Sequence, residues 1–463
     1  MLDLREAFGL LDTGVMVGHG NERFNSISTD SRADVAGSLY VALRGERFDG
    51  HAFTDQALAA GAVACLVDAQ YPARAPALRV PDTRRALGEL ARGWRRRFRL
   101  PLIAVTGSNG KTTVKEMLAA ILVQAVGEQA ALATRGNFNN EIGVPLTVFR
   151  LRAGHRLAVL ELGMNRPGEI AWLAQIAQPT IALVNNAQRE HQEFLDGVAA
   201  TARENGMSIA SLPADGIAVF PGDDESAPIW ARLAGTRARL TFGLSDEPGR
   251  FDVQAAGDSQ PAGFTIHLRE QSFPVSLAID GQHNVRNALA ATACALAAGV
   301  RPAQIAQGLA RFTPATGRMR RVAAAPGVTL IDDSYNANPD SVRAAIAALA
   351  AHPAPRILIL GDMAELGAQG PAWHAEVGEF ARRSGIQRVL ALGPLCREAV
   401  GAFGAGAEHF DSMAKLIEAA TAAAVPGATV LVKGSRAMAM EAVIATLVAN
   451  TRAGGQEGAC CSN

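Results

Sequence analysis

The sequence of 463 residues has no excess of charge of either sign and no long hydrophobic run. Lysine plus arginine and aspartate plus glutamate each number 44, so no overall basic surface points to a nucleic acid or a membrane. The longest apolar stretch, residues 288–300, falls short of the ~18–20 residues that cross a bilayer. The first ten residues lack the basic-then-apolar form of a signal peptide. We therefore expect neither membrane insertion nor nucleic-acid binding.

Cysteine is also scarce, with five residues that form no Cys-x-x-Cys pair. This usage suits a reducing cytosol and argues against a thiolate metal site. Cys460 and Cys461 lie in a polar, glycine-rich tail, residues 454–463, which we predict to be disordered. The rest of the composition, with 49% hydrophobic and 19% charged residues, is typical of a globular protein of two or three domains.

The most informative motif is a phosphate-binding loop between a strand-like run at 102–105 and a segment with helical apolar spacing. The sequence TGSNGKTT supplies glycines that let backbone N–H groups approach phosphate oxygens, at a helix N-terminus that favours anions. Lys111 would place an ammonium over the phosphates, and the Thr112 hydroxyl would bind Mg²⁺. The usual pattern has a further glycine where Val105 stands. We predict nucleotide contacts from Gly107, Ser108, Asn109, Gly110, Lys111, Thr112 and Thr113.

Other polar residues follow predicted strands. Glu161 ends the apolar run 157–161, where a carboxylate beside a phosphate loop would hold Mg²⁺ from the side opposite the loop. His191 follows another strand, and its spacing alone leaves open whether it binds a metal or is simply packed. Two polar clusters, 281–287 and 332–339, read either as helix caps and turns or as parts of an active site where domains meet.

The order of strands and helices predicts an α/β protein of three domains. Residues 1–98 form a small α/β domain, and residues 99–313 form a P-loop domain with a mainly parallel sheet. Within the latter, 237–280 reads as antiparallel hairpins. Residues 314–453 form a Rossmann-like domain, whose ligands should lie at the carboxyl ends of its strands.

Several motifs resemble those of the Mur ligases of peptidoglycan synthesis: TGSNGKTT, GNFNNEIGVP (136–145), ELGMN (161–165), GQHNVRNALA (281–290) and DDSYNANP (332–339). LGDMAELG (360–367), VKGSR (432–436) and the amino-terminal STDSR, GSLYVALRG and DGHAF are similar to those of the family member that acts last on the peptide. The resemblance extends over residues 26–436.

The resemblance implies an ATP-dependent ligase that adds D-alanyl-D-alanine to UDP-N-acetylmuramoyl-tripeptide. ATP would convert the tripeptide carboxylate to an acyl phosphate, which the dipeptide amine attacks, and the products would be the amide, ADP and phosphate. The implied cofactors are ATP and two Mg²⁺ ions. The implied setting is a cytoplasmic monomer of peptidoglycan precursor synthesis, on which cell wall biogenesis, cell shape and cell division depend.

The resemblance also implies a role for individual residues. The catalytic residues would be Lys111, Glu161 and His191, and the metal ligands Thr112, Glu161 and His191. Asn287 would contact adenine, while Arg318 and Asp332 would reach the phosphates or ribose from the third domain. Substrate contacts would come from three groups: Asp30, Ser31, Arg32 and His51 for the UDP-sugar; Asn336, Lys433, Ser435 and Arg436 near the dipeptide; and Asn139.

One feature departs from the family pattern. Family members place a lysine beyond the metal histidine, and CO₂ carbamylates it to give an anion that bridges the metals. The lysines here are at 111, 115, 415 and 433 only, and Asn205 takes the position of that lysine. We hypothesise that Glu204 supplies the missing carboxylate, with Asn205 as a weaker ligand. The alternative is that Glu204 lies on a solvated helix face and that water completes the metal shell.

Three other functions would also use such a phosphate-binding loop. A sister ligase such as folylpolyglutamate synthase would share the ATP chemistry, but DSYNANP and DGHAF argue against it. A regulatory GTPase would need Asn-Lys-x-Asp for guanine, and no lysine has that setting. The presence of Lys111, Thr112 and Glu161 argues against an inactive nucleotide-binding scaffold, which would release no ADP with both substrates present.

Overall fold

The computed structural model describes residues 1–45, 48–72 and 76–454. Three main sheets of five, nine and six strands follow one another along the chain, each with its own helices. The predicted three-domain α/β fold is therefore confirmed. Within these described residues, no helix is both long and apolar enough to cross a membrane. The predicted disordered tail, with Cys460 and Cys461, lies outside the described residues except for Gly454, where the last helix ends.

The first sheet has the strand order β2-β7-β6-β5-β4, parallel from β4 to β7, with β2 antiparallel to β7. A short β1–β3 ribbon precedes it. Its elements are β1 (Leu2–Asp3), α1 (Leu4–Phe8), β2 (Val15–Val17), β3 (Arg23–Phe24), β4 (Ser26–Ser28), β5 (Ser38–Val41), α2 (Thr54–Ala59), β6 (Ala64–Asp68), β7 (Ala77–Val80) and α3 (Thr83–Arg95).

The central sheet has the order β16-β15-β14-β13-β12-β11-β8-β10-β9, and it is parallel from β9 to β14. Its elements are β8 (Leu102–Thr106), α4 (Lys111–Val126), β9 (Ala131–Ala133), α5 (Gly143–Val148), β10 (Leu157–Glu161), α6 (Glu169–Ala177), β11 (Ile181–Val184), α7 (Gly197–Asn205), α8 (Met207–Ala210), β12 (Ile217–Pro221), α9 (Ala227–Ala234), β13 (Ala238–Leu244), β14 (Val253–Ala255), β15 (Phe264–Leu268), β16 (Ser272–Val275), α10 (Gln282–Ala297) and α11 (Pro302–Ala310).

The prediction of antiparallel hairpins over 237–280 is wrong for β13. That strand pairs in parallel with β12 and extends the main sheet, and only β15 and β16 are antiparallel to their neighbours. The physical reason is the connection between the strands, because helix α9 lies between β12 and β13, and a strand–helix–strand crossover gives parallel pairing. Glycine and aspartate between the later strands indicated hairpins, but the helical connection sets the direction of β13.

The third sheet has the order β17-β18-β22-β19-β20-β21, with β17 antiparallel and the rest parallel. Its elements are β17 (Arg320–Val322), β18 (Thr329–Asp333), α12 (Pro339–Ala350), β19 (Arg356–Gly361), α13 (Gly370–Arg383), β20 (Arg388–Leu392), α14 (Cys396–Phe403), β21 (Ala407–Phe410), α15 (Met413–Ala423), β22 (Thr429–Lys433) and α16 (Glu441–Gly454).

The central and third domains share one apolar core. Val285 and Leu289 of α10 belong to the same cluster of buried side chains as Val342 and Ile346 of α12. Fully burying each such side chain stabilises the contact by about 1.5–3 kcal/mol. This docking brings the carboxyl ends of β18 and β22 towards the carboxyl end of β8, where the phosphate loop begins.

Candidate active site

The phosphate loop turns sharply between β8 and α4. Gly107 and Gly110 have φ of +129° and +81°, a region that residues with a side chain rarely adopt. A Cβ on Gly110 would also lie 2.4 Å from the Asn287 Oδ1 atom, so both the conformation and the space require glycine there. Because α4 begins at Lys111, its free N–H groups and dipole face the cavity in front of the loop.

Contacts with α7, with β11 and with the segment that follows β11 hold the loop in place. Asn205 Oδ1 accepts a hydrogen bond from the Gly107 N–H at 2.8 Å, and Asn205 is 1% exposed. Thr106 Oγ1 donates to the Leu183 carbonyl at 2.8 Å. The Asn109 N–H donates to Asn186 Oδ1 at 2.9 Å. Asn205, which takes the position of the family lysine, therefore fixes the backbone of the loop.

The Lys111 ammonium is held over the loop by three oxygen atoms. Its Nζ lies 2.5 Å from the Gly107 carbonyl, 3.0 Å from the Ser108 carbonyl and 3.0 Å from Glu190 Oε1. Only 14% of the lysine side chain is exposed. Lys111 is thus positioned where a phosphate bound by the loop would meet its charge.

Glu161 stands beside the loop, because β10 and β8 pair in parallel with Glu161 opposite Val105. Its Oε1 accepts hydrogen bonds from Thr112 Oγ1 at 3.2 Å and from Asn139 Nδ2 at 2.8 Å. Its Oε2 is buried and has no hydrogen-bond partner among the described residues, although Glu161 is only 2% exposed. A buried, unpaired carboxylate oxygen next to a hydroxyl oxygen fits a hard cation such as Mg²⁺.

His191 lies at the same cavity in a left-handed conformation, with φ of +52°. Its Nδ1 donates to Glu365 Oε2 at 2.5 Å, and its Nε2 lies 3.4 Å from Glu190 Oε1. Burial opposes the charge of His191, but the hydrogen bond and charge of Glu190 raise the pKa of the imidazole overall. Burial alone would raise the pKa of Glu190, yet the charge of Lys111 lowers it.

A cavity of about 370 Å³ brings these groups together with residues of the third domain. Arg318, Asn336 and Lys433 of the third domain line it together with Lys111 and Glu161. The Arg318 guanidinium stacks 4.1 Å from the centre of the Tyr335 ring. Lys433 Nζ donates to Asp333 Oδ2 at 2.6 Å and to the Asn336 carbonyl at 2.9 Å.

A neighbouring cavity of about 220 Å³, which also borders the loop, is lined by Thr113, Asn287, Phe242 and Arg318. The Asn287 amide is already bonded there. Its Nδ2 donates to Asn284 Oδ1 at 2.8 Å, and its Oδ1 accepts from Asn185 at 3.0 Å. The contact of Asn287 with adenine stays a prediction, and the structure shows in addition that Asn287 supports the loop.

The assignment of Asp332 to the nucleotide requires correction. Its carboxylate is 2% exposed and accepts from the Gly317 N–H at 3.0 Å and from Ser334 Oγ at 2.6 Å. Asp333, by contrast, lines the smaller cavity. Successive side chains of a strand point to opposite faces, so choosing the first of two adjacent aspartates selected the wrong face.

Two dipeptide contacts also differ from expectation. Ser435 is buried, and its Oγ donates to the Asp362 carbonyl at 2.6 Å, so this hydroxyl joins two segments of the third domain. Arg436 is exposed and pairs with Glu441 at 2.8 Å. Neither residue lines either cavity beside the loop.

The predicted UDP-sugar residues lie on the first domain, outside both cavities. His51 is 4% exposed, and both ring nitrogens are engaged: Nδ1 donates to Asp49 at 2.6 Å, and Nε2 accepts from the Asp68 N–H at 3.0 Å. His51 is thus a structural residue in this conformation. Asp30, beside the half-buried Ser31, accepts two side-chain hydrogen bonds from Arg32, which hold the pKa of Asp30 at about 2.

Both interpretations of Glu204 are also corrected. Glu204 is 9% exposed, so it does not lie on a solvated helix face. Its Oε1 accepts from the Ile170 N–H at 3.1 Å, at the beginning of α6, and it does not line the cavity that holds Glu161 and His191. Burial of its acceptor oxygen against a helix terminus serves the fold rather than a cation.

Three residues of this region were missed by the sequence analysis. Glu190 could have been suspected because it directly precedes His191, and Glu365 because it lies in the LGDMAELG motif. Arg189 crosses to the third domain, where it bonds to Asp340 at 2.6 Å and to Glu376 at 2.7 Å. Nothing in the local sequence indicated these partners, since they are more than 140 positions away.

Comparison with known proteins gives matches along most of the chain. Three family models match in succession: "Mur ligase family, catalytic domain" over residues 23–95, "Mur ligase middle domain" over 105–295, and "Mur ligase, glutamate ligase domain" over 317–436. The UDP-N-acetylmuramoyl-tripeptide–D-alanyl-D-alanine ligase of Escherichia coli is 42% identical over 431 residues, covering 92% of this chain and 94% of that protein. The enzyme of the same name from Bacillus subtilis is 34% identical, with 92% and 93% covered.

Solved structures agree with these matches. A crystal structure of MurF from Acinetobacter baumannii has a TM-score of 0.88 at 33% identity and covers 97% of this chain and 99% of that one. MurF from Thermotoga maritima, solved in complex with ADP, has a TM-score of 0.80 at 26% identity, with 93% and 98% covered.

Proposed function

The chain belongs to the Mur ligase family, and on that premise we propose that it joins D-alanyl-D-alanine to UDP-N-acetylmuramoyl-tripeptide at the expense of ATP. One observation carries the proposal: the phosphate loop, Glu161 and the third-domain residues Arg318 and Lys433 meet in one cavity. Such a cavity can hold a nucleotide phosphate and an acceptor carboxylate together while the third domain excludes water.

The residues present fit an acyl-phosphate route. The loop N–H groups and Lys111 would bind the transferring phosphoryl group, whose charge needs stabilisation more than it needs covalent help. Arg318 and Lys433 supply further positive charge from the third domain. The dipeptide amine would enter beside Asn336 and attack the activated carbonyl, and the proton that it loses would leave with solvent or a nearby base.

We propose that Thr112, Glu161 and His191 hold Mg²⁺. The free Oε2 of Glu161, the Thr112 hydroxyl and the Nε2 of His191 supply donors that suit this ion, and Asn139 orients Glu161. When bound, Mg²⁺ would neutralise phosphate charge and orient the γ-phosphoryl group.

Several details belong to the proposal as well. We place the domain boundaries at 1–98, 99–313 and 314–453, and we assign UDP-sugar binding to the first domain through Asp30, Ser31 and Arg32. The exposed Arg32 side chain, with Asp30 fixing its guanidinium, suits a phosphate group. We further propose a monomer that works in the cytoplasm, with the buried thiols of Cys65, Cys294 and Cys396 left unpaired.

An ADP-release assay tests the proposed function. We expect release only when ATP, UDP-N-acetylmuramoyl-tripeptide and D-alanyl-D-alanine are all present, and no release when folate replaces the tripeptide. Carboxylate-¹⁸O substrate should transfer one labelled oxygen to phosphate, because the acyl phosphate breaks at the carbonyl carbon. Activity with folate, or no ADP release with both substrates, would refute the assignment.

A further inference from the structure

A second metal site at His191 would lack the anion that the family pattern provides. Lysines occur only at 111, 115, 415 and 433. Lys433 lines the cavity that holds His191, but its Nζ donates to Asp333 Oδ2 and to the Asn336 carbonyl, so it is not free to carry a carbamate. Lys111 is bonded over the loop, and Lys115 is 0% exposed and paired with Glu116. A divalent cation at His191 still requires anionic oxygen, since a neutral imidazole contributes no charge.

The residues suggested for this purpose by the sequence are unavailable. Asn205 gives its amide oxygen to the Gly107 N–H, and Glu204 gives Oε1 to the Ile170 N–H. Both bonds are buried, so breaking either would leave an unsatisfied N–H group at a cost of about 1–3 kcal/mol. The missing charge must come from another residue.

Glu190 is the carboxylate that meets the requirement. It is 7% exposed and lines the same cavity as Glu161, Thr112 and His191. Its Oε1 lies 3.0 Å from Lys111 Nζ and 3.4 Å from His191 Nε2, while its buried Oε2 has no hydrogen-bond partner among the described residues. One oxygen can therefore keep Lys111 in place while the other remains free for a cation.

Glu365 supports the same arrangement from the third domain. Its Oε2 accepts the Nδ1 proton of His191, which fixes the ring so that Nε2 faces Glu190. A carboxylate behind a ligating histidine sets its tautomer and raises its basicity. Glu365 is thus a positioning residue, and it reaches His191 only when the two domains are docked.

We propose that Glu190 replaces the carbamylated lysine as the anionic ligand of a second divalent cation, together with His191 and Glu161. This inference rests on the proposed function for the identity of the nucleotide, but it concerns cation binding and not turnover. It also explains how Asn205 can stand at the lysine position and accept the Gly107 N–H of the loop without loss of the second cation.

Mn²⁺ titration with a non-hydrolysable ATP analogue, followed by electron paramagnetic resonance, counts the ions bound. We expect two ions for the wild type. Glu190→Gln should keep the first and weaken the second roughly 10–100-fold. Glu193→Gln is the matched control, because this exposed carboxylate lies three positions away. Glu190→Asp, which keeps the charge, should retain both ions, and circular dichroism should show that every variant is folded.

Other outcomes would overturn the proposal. If Glu190→Gln still binds two ions with wild-type affinity, Glu190 is not the ligand. If the variant loses both ions, the assignment is also wrong, because Thr112 and Glu161 should still hold the first ion. Glu365→Ala should weaken the second ion, and Glu365→Gln, which keeps an acceptor, should restore it. A wild-type rate that falls on CO₂ depletion and recovers with bicarbonate would also contradict Glu190 as the anion. Failure of the proposed ligase reaction would appear separately, as absent ADP release by the wild type.

Discussion

Replacement of Asn205 by leucine removes the hydrogen bond that holds the phosphate loop to α7. The leucine is of similar size, so the change acts mainly on polar contacts. The Gly107 N–H loses its acceptor at 2.8 Å inside the protein. The Thr201 carbonyl also loses the Asn205 amide, but it lies inside α7 and keeps a helical partner. One buried donor therefore becomes unsatisfied.

An unsatisfied buried N–H costs about 1–3 kcal/mol, which corresponds to a roughly 5- to 150-fold increase in local opening of the loop. Hydrogen exchange with mass spectrometry on a peptide that contains Gly107 should show this loss of protection. The affinity for ATP should fall within the same range, because the loop must be closed to bind phosphate.

Arg203→Gln serves as the control, since Arg203 is on the same helix but exposed. It should change neither exchange nor affinity. Unchanged protection of Gly107 in the Asn205→Leu variant would refute the role assigned to this side chain.

Three further predictions concern turnover, domain docking and pH. Lys111→Ala should raise the barrier by about 3–4 kcal/mol, the effect of losing one electrostatic donor, and a folded variant with a near wild-type kcat would contradict this. Arg189→Ala, which breaks ion pairs across the domain interface, should increase the radius of gyration in solution scattering, because the third domain then separates more readily from the central domain. Arg343→Ala, which breaks a bond to Glu376 within the third domain, should leave it unchanged. Burial lowers the pKa of His374 below 6.5. The contribution of the neutral His374 to folding stability should therefore be fully present above about pH 6.5 and be lost as the pH falls through the folded-state pKa. Thermal melts should show this loss for the wild type, and His374→Gln should remove it.

Strong local patterns in the sequence predicted much of the fold. Strands β8 and β10 lie where the apolar runs 102–105 and 157–161 predicted them, at Leu102–Thr106 and Leu157–Glu161. The phosphate loop after β8 could also be predicted, because its glycines and Lys111 are adjacent in the sequence and indicate phosphate binding by themselves. Strand β13 was misassigned because its direction follows from α9, the helix that joins it to β12, and the turn residues of this region did not indicate that connection.

Contacts between distant segments could not be predicted. The role of Glu190 depends on its contact with Lys111 and on its buried, unpaired oxygen, and no motif in the sequence indicates either feature. Glu365 reaches His191 across a domain interface. The choice between Asp332 and Asp333 depended on which face of β18 meets the cavity, and both aspartates follow the same apolar run.

We propose that one cavity couples ATP cleavage to amide formation between two specific substrates. Mass spectrometry of a single reaction mixture can count ADP together with the UDP-N-acetylmuramoyl-pentapeptide formed from the tripeptide and D-alanyl-D-alanine. We expect one pentapeptide for each ADP, and neither product when the dipeptide is left out. ADP that accumulates without pentapeptide would contradict it.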